Sequence, residues 1–480
     1  MTMYREVAVA ELLEDYRLCC ISRAVDERQL TLHKQGRTFF QIAGAGHEAL
    51  LTALARSLRP SYDWFFPYYR DLALVLALGV PIYDVMLSAC GAADDPASGG
   101  RQMPAHWGAA DLNIVSQSSP TGSQCLPAVG CAEASQYLDR HHIAGLDANS
   151  DEVTYVSLGD GATSEGEFWE SLNTACRLLL PVIYVVADNG WAISVSTSEQ
   201  APGPISELVA SFPGLHVAKF DGCDYFAARA AGAEAIARAR RGEGPALLHA
   251  SVTRPFSHSS SDSQARYRGA ADIADERARD PLARFESELL AAGILTRADT
   301  ERVRSEVQEA VLQAATRALA APRPDPKTAT DHLYAYPTIP EPTPDSELGG
   351  EPVLFGEAIR RTLSEAMAGD ERIRVFGEDV ADGAEEILGD VDGMGGVFGT
   401  TLGLQRQFGS DRSYNTPLAE ANIVGRAIGQ AVRGLRPAPE VQFFDYIWTA
   451  MQQIRSEAAT TRWRSNGAFH APLVLRCAIG

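Results

Sequence analysis

The stretch 152–194, EVTYVSLGDGATSEGEFWESLNTACRLLLPVIYVVADNGWAIS, decides the fold. It combines two segments rich in β-branched and aromatic residues, two glycine-containing turns, and one segment with the apolar spacing of a helix. In chain order these predict a strand at 153–158, a turn at 159–161, a helix at 165–177, a strand at 181–187 and a turn at 188–190. A strand, a helix and a second strand form a βαβ unit, so both turns should lie at one edge of a parallel sheet.

The residues in the two turns indicate a metal-bound diphosphate. Asp160 lies in the first turn and Asn189 in the second, and both supply the hard oxygen ligands that Mg²⁺ prefers. With one backbone carbonyl they leave room for two phosphate oxygens and a water. The glycines permit close approach of an anion, and the following helix offers its N-terminus. Gly-Asp-Gly alone is more often a surface turn; the second turn, placed after a full βαβ unit, favours the site.

Longer motifs on both sides of this unit carry a family resemblance. The first part of the chain contains GRQMPAHW (100–107), SSPTGSQ (118–124), GDGATSEGEFWESLN (159–173) and HSSSDSQARYR (258–268). The second part contains GEDV (377–380), NTPLAEANIVGRAIG (415–429), EVQFFDYIW (440–448) and TRWRSNG (461–467). The two turns resemble the thiamine diphosphate motif. The first set resembles the alpha subunit, and the second set the beta subunit, of branched-chain 2-oxo acid dehydrogenases. From about residue 25 to 480, with a gap at a linker, the chain therefore resembles a fused alpha–beta decarboxylase component.

The resemblance implies a site for thiamine diphosphate and Mg²⁺ and assigns its residues. The implied cofactor-binding residues are Tyr69, Arg70, Ser119, Thr121, Gly159, Asp160, Gly161, Ala162, Asn189, Arg254, His258, Glu420 and Tyr446. The implied metal ligands are Asp160, Asn189 and, through its carbonyl group, Trp191. The family has a bulky aliphatic residue where this chain has Thr121, so hydrophobic support for the bent cofactor must come from elsewhere. The same loop binds potassium in some members, and its oxygens here belong to Ser118, Pro120, Ser123 and Gln124.

Glu420 and His258 are the implied catalytic residues. Thiamine chemistry needs a buried carboxylate beside N1′ of the aminopyrimidine, and an apolar site next to a ring raises the pKa of such a group. From the residues alone, Glu420 is equally an acid at a helix N-terminus. His258 lies in the polar segment 254–268, which suits a mobile lid, and we expect it to titrate near neutral pH and to donate to an oxyanion. The family uses this histidine in acyl transfer to lipoamide; without the family, a solvated loop histidine is favoured.

Three further side chains have both a functional and a structural interpretation. Arg70 follows an aromatic run at a predicted loop–helix junction, where a guanidinium can clamp phosphate oxygens, although it could be a surface arginine. Phe40 would face the acyl tail of the substrate by resemblance, and a plain core phenylalanine is as good an interpretation. His106 could be a ligand or a base, but a lone histidine is more often structural.

Composition excludes several classes of function. The chain has 480 residues, 45% of them hydrophobic, and a formal net charge of −20, which argues against nucleic acid or an anionic membrane as a partner. None of the eight cysteines forms a CxxC pair, so neither a zinc site nor a disulfide framework is supported, and a reducing cytoplasm is expected. No run of about 18 apolar residues predicts a membrane span, and the acidic, amphipathic N-terminal segment is unlike a signal peptide.

The fold class predicted is α/β, with two thiamine diphosphate-binding domains whose mostly parallel sheets are flanked by helices. The predicted boundaries are a diphosphate-binding domain at 1–320, an extended proline-rich linker at 321–350 and a pyrimidine-binding domain at 351–480, in which 446–463 is a helix. We expect the chain to end before the family's C-terminal domain. The implied reaction is oxidative decarboxylation of branched-chain 2-oxo acids, with reductive acylation of a lipoylated acyltransferase by at least a homodimer. The alternatives are a pyruvate or acetoin dehydrogenase component, or a non-catalytic cofactor-binding fragment.

Overall fold

The first domain is built around a five-stranded parallel sheet. The computed structural model describes residues 2–335 and 351–479. The strands of this domain are β1 (Met3–Tyr4), β2 (Val7–Ala8), β3 (Trp64–Phe66), β4 (Thr154–Gly159), β5 (Val182–Asp188), β6 (Trp191–Ala192), β7 (Val195–Ser196), β8 (His216–Asp221) and β9 (Ala246–Ser251). The sheet has the order β3-β4-β5-β9-β8, while β1–β2 and β6–β7 are antiparallel hairpins.

Helices cover both faces of this sheet. They are α1 (Val9–Lys34), α2 (Glu48–Ala55), α3 (Leu72–Ala77), α4 (Ile82–Cys90), α5 (Cys125–His141), α6 (Gly166–Leu178), α7 (Thr197–Gln200), α8 (Ile205–Leu208), α9 (Tyr225–Arg240), α10 (Ala270–Ala278), α11 (Pro281–Ala291) and α12 (Arg297–Ala320). Successive strand residues point to opposite faces, so Ile183 packs in the cluster that contains α1, α2 and α9, whereas Tyr184 packs with α5 and α6. Both faces are buried, which explains the continuous apolar runs of β4 and β5.

The second domain repeats the arrangement on a smaller scale. Its strands are β10 (Ile373–Gly377), β11 (Ser413–Asn415), β12 (Arg436–Val441) and β13 (Arg476–Cys477), in the parallel order β11-β10-β12-β13. Its α-helices are α13 (Phe355–Gly369), α14 (Leu404–Phe408), α15 (Glu420–Val432) and α16 (Thr461–Arg464). The predicted class, two α/β domains with parallel sheets flanked by helices, is confirmed.

Two local predictions were wrong. The segment predicted as one helix, 446–463, consists of a 3₁₀-helix (Phe444–Ala450), a π-helix (Gln453–Ala458) and the short α16. The first part of the predicted extended linker contains a 3₁₀-helix (Pro326–Thr330), against which the Trp463 indole packs by donating to the Ala329 carbonyl oxygen at 2.9 Å. The remainder of that linker, 336–350, lies outside the described residues.

Helices α5 and α15 bring the two domains together through glycines. A Cβ atom at Gly429 would lie 1.9 Å from the Pro127 carbonyl oxygen, and one at Gly130 would lie 2.1 Å from the Arg426 carbonyl oxygen. Only a residue without a side chain allows the two backbones to approach this closely.

Within the part of the chain that the structure describes, no helix is both long and apolar enough to cross a membrane.

Candidate active site

A cavity of about 350 Å³ opens at the carboxyl edge of the first sheet. Register explains its position, because Gly159 at the end of β4 lies opposite Ala187 near the end of β5. The two predicted turns therefore meet at one edge, as the sequence indicated. The predicted residues that line the cavity are Phe40, Tyr69, Arg70, Ser119, Thr121, Gln124, Gly159, Asp160, Gly161, Ala162, Asn189, Trp191 and His258.

Asp160 and Asn189 present oxygens that suit a divalent cation. Asp160 accepts hydrogen bonds from the Asn189 backbone N–H and the Thr197 hydroxyl, both at 3.3 Å. The Asn189 Oδ1 atom is buried and accepts no hydrogen bond among the described residues. Burial, together with the negative charge of Asp188, raises the pKa of Asp160 to about 6. Among the described residues no Lys, Arg or His nitrogen lies within 4.0 Å of the Asp160 carboxylate, so this carboxylate and the unbonded Asn189 amide oxygen fit the predicted Mg²⁺.

The described residues hold no cluster of three or more His, Cys, Asp or Glu side chains arranged for a metal ion. A cation at Asp160 must therefore complete its coordination with amide, carbonyl, phosphate or water oxygens. That composition is typical of Mg²⁺ bound together with a phosphate group, and it disfavours zinc, which prefers thiolate and imidazole ligands.

Two arginines place positive charge at the cavity. Arg70 and Arg254 are 2% and 1% exposed, and among residues 2–335 and 351–479 neither guanidinium has a carboxylate oxygen within 4.0 Å. Arg70 lines the cavity and donates to the Ala43 carbonyl oxygen at 2.6 Å. Buried charges are normally paired, so an uncompensated guanidinium beside a cavity indicates that the ligand brings the negative charge.

Arg254 lies behind the cavity wall. Its guanidinium donates to the carbonyl oxygens of Trp191 at 3.3 Å and Ile193 at 3.2 Å, and to the Tyr267 hydroxyl at 3.0 Å. It thereby holds the β6–β7 hairpin that carries the predicted carbonyl ligand of the metal. Its expected contact with a cofactor phosphate stays a prediction.

His258 is neutral, and the expectation that it titrates near neutral pH was wrong. Burial and the positive charges of Arg70 and Arg254 lower the pKa of His258 to about 3. Its Nδ1 atom accepts from the Arg70 guanidinium at 3.2 Å, which leaves the proton on Nε2. The ring lies edge-on to Tyr69, with centroids 6.1 Å apart. His258 can therefore donate a hydrogen bond from Nε2, but it does not carry a charge in this state.

The loop 116–124 forms another wall of the cavity. His106, whose role the sequence left open, lies beside this loop. Ser119 and Thr121 line the cavity, and so does His106. His106 is buried, and its Nε2 atom lies 3.1 Å from the Ser119 hydroxyl. Burial lowers the pKa of His106, so it acts as a neutral hydrogen-bonding partner of the loop.

The structure adds lining residues that the sequence reading missed. They are Ile42, Tyr68, Met103, Gln117, Gly122, Leu158, Ala192 and Ile193. All of them lie within three positions of a predicted site residue or inside a quoted motif, so proximity to those residues and motifs was the available signal.

The oxygens predicted to hold potassium are partly engaged by the second domain. The hydroxyls of Ser118 and Ser123 both donate to Glu457 Oε1, the second at 2.6 Å, and the Ser123 hydroxyl also lies 2.9 Å from the Pro120 carbonyl oxygen. Of the predicted set, Gln124 alone lines the cavity.

Glu420 and Tyr446 do not line the cavity of their own chain; within the described part of the second domain, no residue does. Glu420 begins α15, as expected, and accepts from the Thr449 hydroxyl at 3.0 Å. Tyr446 is 45% exposed and Trp448 beside it is 67% exposed. The cavity thus gathers the predicted metal and phosphate residues, while the predicted pyrimidine residues face outward elsewhere.

Comparison with known proteins assigns both parts of the chain. A family model described as the dehydrogenase E1 component matches residues 16–327, and a model of the transketolase pyrimidine binding domain matches residues 351–476. The chain is 36% identical over 328 residues to the 2-oxoisovalerate dehydrogenase subunit alpha of Bacillus subtilis, covering 68% of this chain and 96% of that protein. It is 34% identical over 306 residues to the 3-methyl-2-oxobutanoate dehydrogenase subunit alpha of Mycobacterium tuberculosis, covering 62% and 78%. It is also 31% identical over 325 residues to the pyruvate dehydrogenase E1 component subunit alpha of Bacillus cereus, covering 66% and 82%.

Proposed function

The chain belongs to the dehydrogenase E1 component family, and on that premise we propose that it decarboxylates branched-chain 2-oxo acids oxidatively within a 2-oxo acid dehydrogenase complex. The observation that carries this proposal is the cavity at the carboxyl edge of β4 and β5. It combines the buried Asp160 carboxylate and the buried Arg70 guanidinium, and neither has an oppositely charged side chain within 4.0 Å among residues 2–335 and 351–479. A magnesium diphosphate supplies both missing charges at once.

The family implies thiamine diphosphate as the cofactor, and the cavity residues fit its diphosphate end. Asp160, Asn189 and the Trp191 carbonyl would hold Mg²⁺, and Arg70 would bind diphosphate oxygens. When bound, thiamine diphosphate supplies the electron sink that decarboxylation of a 2-oxo acid requires. Potassium at Ser118, Pro120, Ser123 and Gln124 remains a prediction, which replacement of potassium by sodium in the assay would test.

The chain's own residues have distinct roles in this proposal. Glu420 would hold a proton at N1′ of the aminopyrimidine. His258, which is neutral and protonated on Nε2, would donate a hydrogen bond to the substrate oxygen, where its uncharged state avoids a further cation beside Arg70. Phe40, which lines the cavity, would contact the acyl tail of the substrate. The acyl product would pass to the lipoyl group of a partner acyltransferase.

A second copy of the chain would complete each site. Glu420 and Tyr446 lie outside the cavity of their own chain, and they stand among exposed apolar side chains, Leu418 at 73% and Trp448 at 67%. Apolar surface of this kind marks an interaction site. We therefore expect a homodimer or larger assembly in which the second domain of one copy faces the cavity of another.

Calorimetric titration of thiamine diphosphate in the presence of Mg²⁺ tests the cofactor site. The variant Asp160→Ala should abolish binding, whereas Asp94→Ala, which changes an exposed loop carboxylate, should bind as the wild type does. Wild-type protein that fails to bind, or an Asp160→Ala variant that binds normally, would refute the site.

Turnover tests the reaction and the substrate class. With an artificial electron acceptor, 3-methyl-2-oxobutanoate should be decarboxylated with a higher kcat/KM than pyruvate. The variant Glu420→Ala should bind the cofactor and lose turnover. A preference for pyruvate would instead favour a pyruvate dehydrogenase component. This is the alternative because the similar Bacillus cereus protein is a pyruvate dehydrogenase subunit. Cofactor binding without decarboxylation of either acid would instead indicate a non-catalytic cofactor-binding chain.

A further inference from the structure

A buried carboxylate of the second domain contacts a cavity wall of the first domain. Glu457 is 3% exposed, and its Oε1 atom accepts hydrogen bonds from the hydroxyls of Ser118 and Ser123. These two serines stand on either side of the segment that carries Ser119 and Thr121, which line the cavity. One carboxylate oxygen thus ties together both ends of the part of the loop that faces the cofactor site.

Arg464 completes this contact. Its Nη2 atom lies 2.6 Å from Glu457 Oε2 and 2.8 Å from the Ser116 carbonyl oxygen, and both charged side chains are buried. A buried ion pair is weak evidence for stability, because the loss of hydration offsets most of the attraction. Its hydrogen bonds, however, fix geometry, and here four of them end on the loop 116–123.

The backbone of the second domain is irregular at this contact. Glu457 and Gln453 both belong to the π-helix Gln453–Ala458, and the Gln453 amide donates to the Ser123 carbonyl oxygen and to Glu167 Oε1, each at 2.9 Å. π-Helical turns are rare and are found frequently at functional sites. This one directs two side chains of the second domain at a single loop of the first.

We propose that Glu457, Arg464 and Gln453 form a positioning clamp that holds the loop 116–124 in the shape that binds the cofactor. The affinity of the first domain for its cofactor then depends on second-domain side chains of the same chain, none of which lines the cavity. The inference rests on the proposed function for the identity of the ligand. The fixation of the loop does not depend on that identity.

The test compares Glu457→Gln with a matched control, Glu152→Gln. Glu152 is also a buried carboxylate that pairs across the domains, with Arg433 at 3.1 Å, but it does not contact the loop. Hydrogen exchange of segment 116–124 is measured in cofactor-free protein, and the Kd for thiamine diphosphate with Mg²⁺ is measured by calorimetry. We expect Glu457→Gln to accelerate exchange of the segment and to raise Kd by tenfold or more, and Glu152→Gln to change neither by more than twofold.

Turnover separates positioning from catalysis. At saturating cofactor, Glu457→Gln should recover most of its kcat, because the clamp affects the affinity and not the chemical step. Exchange and Kd within twofold of the Glu152→Gln values would overturn the inference. A loosened loop with unchanged Kd would also overturn it, since positioning would then have no consequence for binding.

The loop side of the clamp offers a second route if Glu457→Gln does not fold. The double variant Ser118→Ala and Ser123→Ala removes both hydroxyl donors to Glu457 Oε1 and alters no cavity-lining residue. It should reproduce the faster exchange and the higher Kd. Wild-type protein that binds no thiamine diphosphate would refute the proposed function and the cofactor half of the inference. In that case unchanged exchange in the variants would refute the clamp, and accelerated exchange would support it.

Discussion

Replacing Glu133 by Gln should weaken the cohesion of the two domains, and only above acidic pH. Glu133 lies on α5, buried against the second domain. Its carboxylate accepts from Arg426 at 2.7 and 3.0 Å, from Arg374 at 3.2 Å and from the Tyr414 hydroxyl at 2.8 Å. These donors all belong to the second domain, so the carboxylate holds two of its guanidinium groups and a hydroxyl across the interface.

The magnitude follows from the pKa of this carboxyl group. Burial alone would raise the pKa of Glu133, but the charges of Arg426 and Arg374 outweigh it and lower the pKa from 4.5 to about 2. A pKa difference of about 2.5 corresponds to about 3 kcal/mol of stabilisation at pH 7. Because the pKa is depressed in the folded protein, this stabilisation is fully present above pH 4.5 and is lost as the pH falls towards 2. At pH 3 a little under half of it should remain.

Urea denaturation of the wild type and Glu133→Gln at pH 7 and pH 3 measures this term. Glutamine resembles the protonated acid in shape. The free energy of the first unfolding transition should therefore be about 3 kcal/mol lower in the variant than in the wild type at pH 7, and this difference should roughly halve at pH 3. Glu301→Gln, at an exposed position of α12, controls for the general effect of removing a charge. A loss below 1 kcal/mol at pH 7, or one that does not shrink at pH 3, would refute the reasoning.

Three further outcomes are expected. Gly429→Ala should separate the domains, detected by small-angle scattering and limited proteolysis, because its Cβ atom would lie 1.9 Å from the Pro127 carbonyl oxygen, whereas Gly369→Ala has no neighbour within 4 Å and should be harmless. Burial raises the pKa of Asp71 from 3.8 to about 7, so the folded protein keeps this proton at pH values where the unfolded chain has lost it. The free energy of unfolding therefore falls as the pH rises, until the folded protein also loses the proton near pH 7. The cofactor-free wild type should therefore lose about 1 kcal/mol between pH 6 and 8 that Asp71→Asn does not lose, and equal pH profiles in denaturation would contradict this. Arg70→Met should raise the Kd for thiamine diphosphate at least tenfold in calorimetry and leave the affinity for unphosphorylated thiamine unchanged, because charge-assisted hydrogen bonds to phosphate are lost.

Much of the first-domain cavity could be predicted because short patterns in the neighbouring sequence identify its residues. The two turns with Asp160 and Asn189 follow apolar runs whose strands must be parallel, so the sheet itself places them at one edge. A local signal, an acidic residue at a helix N-terminus, also gave the start of α15 at Glu420. In each of these cases the signal lies within about 30 residues of the chain.

The errors arise where distant residues decide the outcome. The neutral state of His258 depends on Arg70, which lies 188 positions earlier and was assigned separately to phosphate. The break of the predicted helix 446–463 depends on contacts of Gln453 and Glu457 with a loop more than 300 positions away. The segment stays helical in three short pieces, but tertiary contacts override the regular α-helical hydrogen bonding.

The second domain carries two sets of residues in different surroundings. Through Glu457 and Gln453 it contacts the cavity wall of its own chain, while Glu420 and the exposed Trp448 do not line that cavity. If the outward face served the cavity of its own chain, the clamp would have to release the loop and the glycine-mediated packing of α5 on α15 would have to open. Neither change is needed when the outward face serves a second copy. The buried contacts within the chain therefore favour the proposed homodimer, in which the second domain would shape one cavity in its own chain and complete another in its partner.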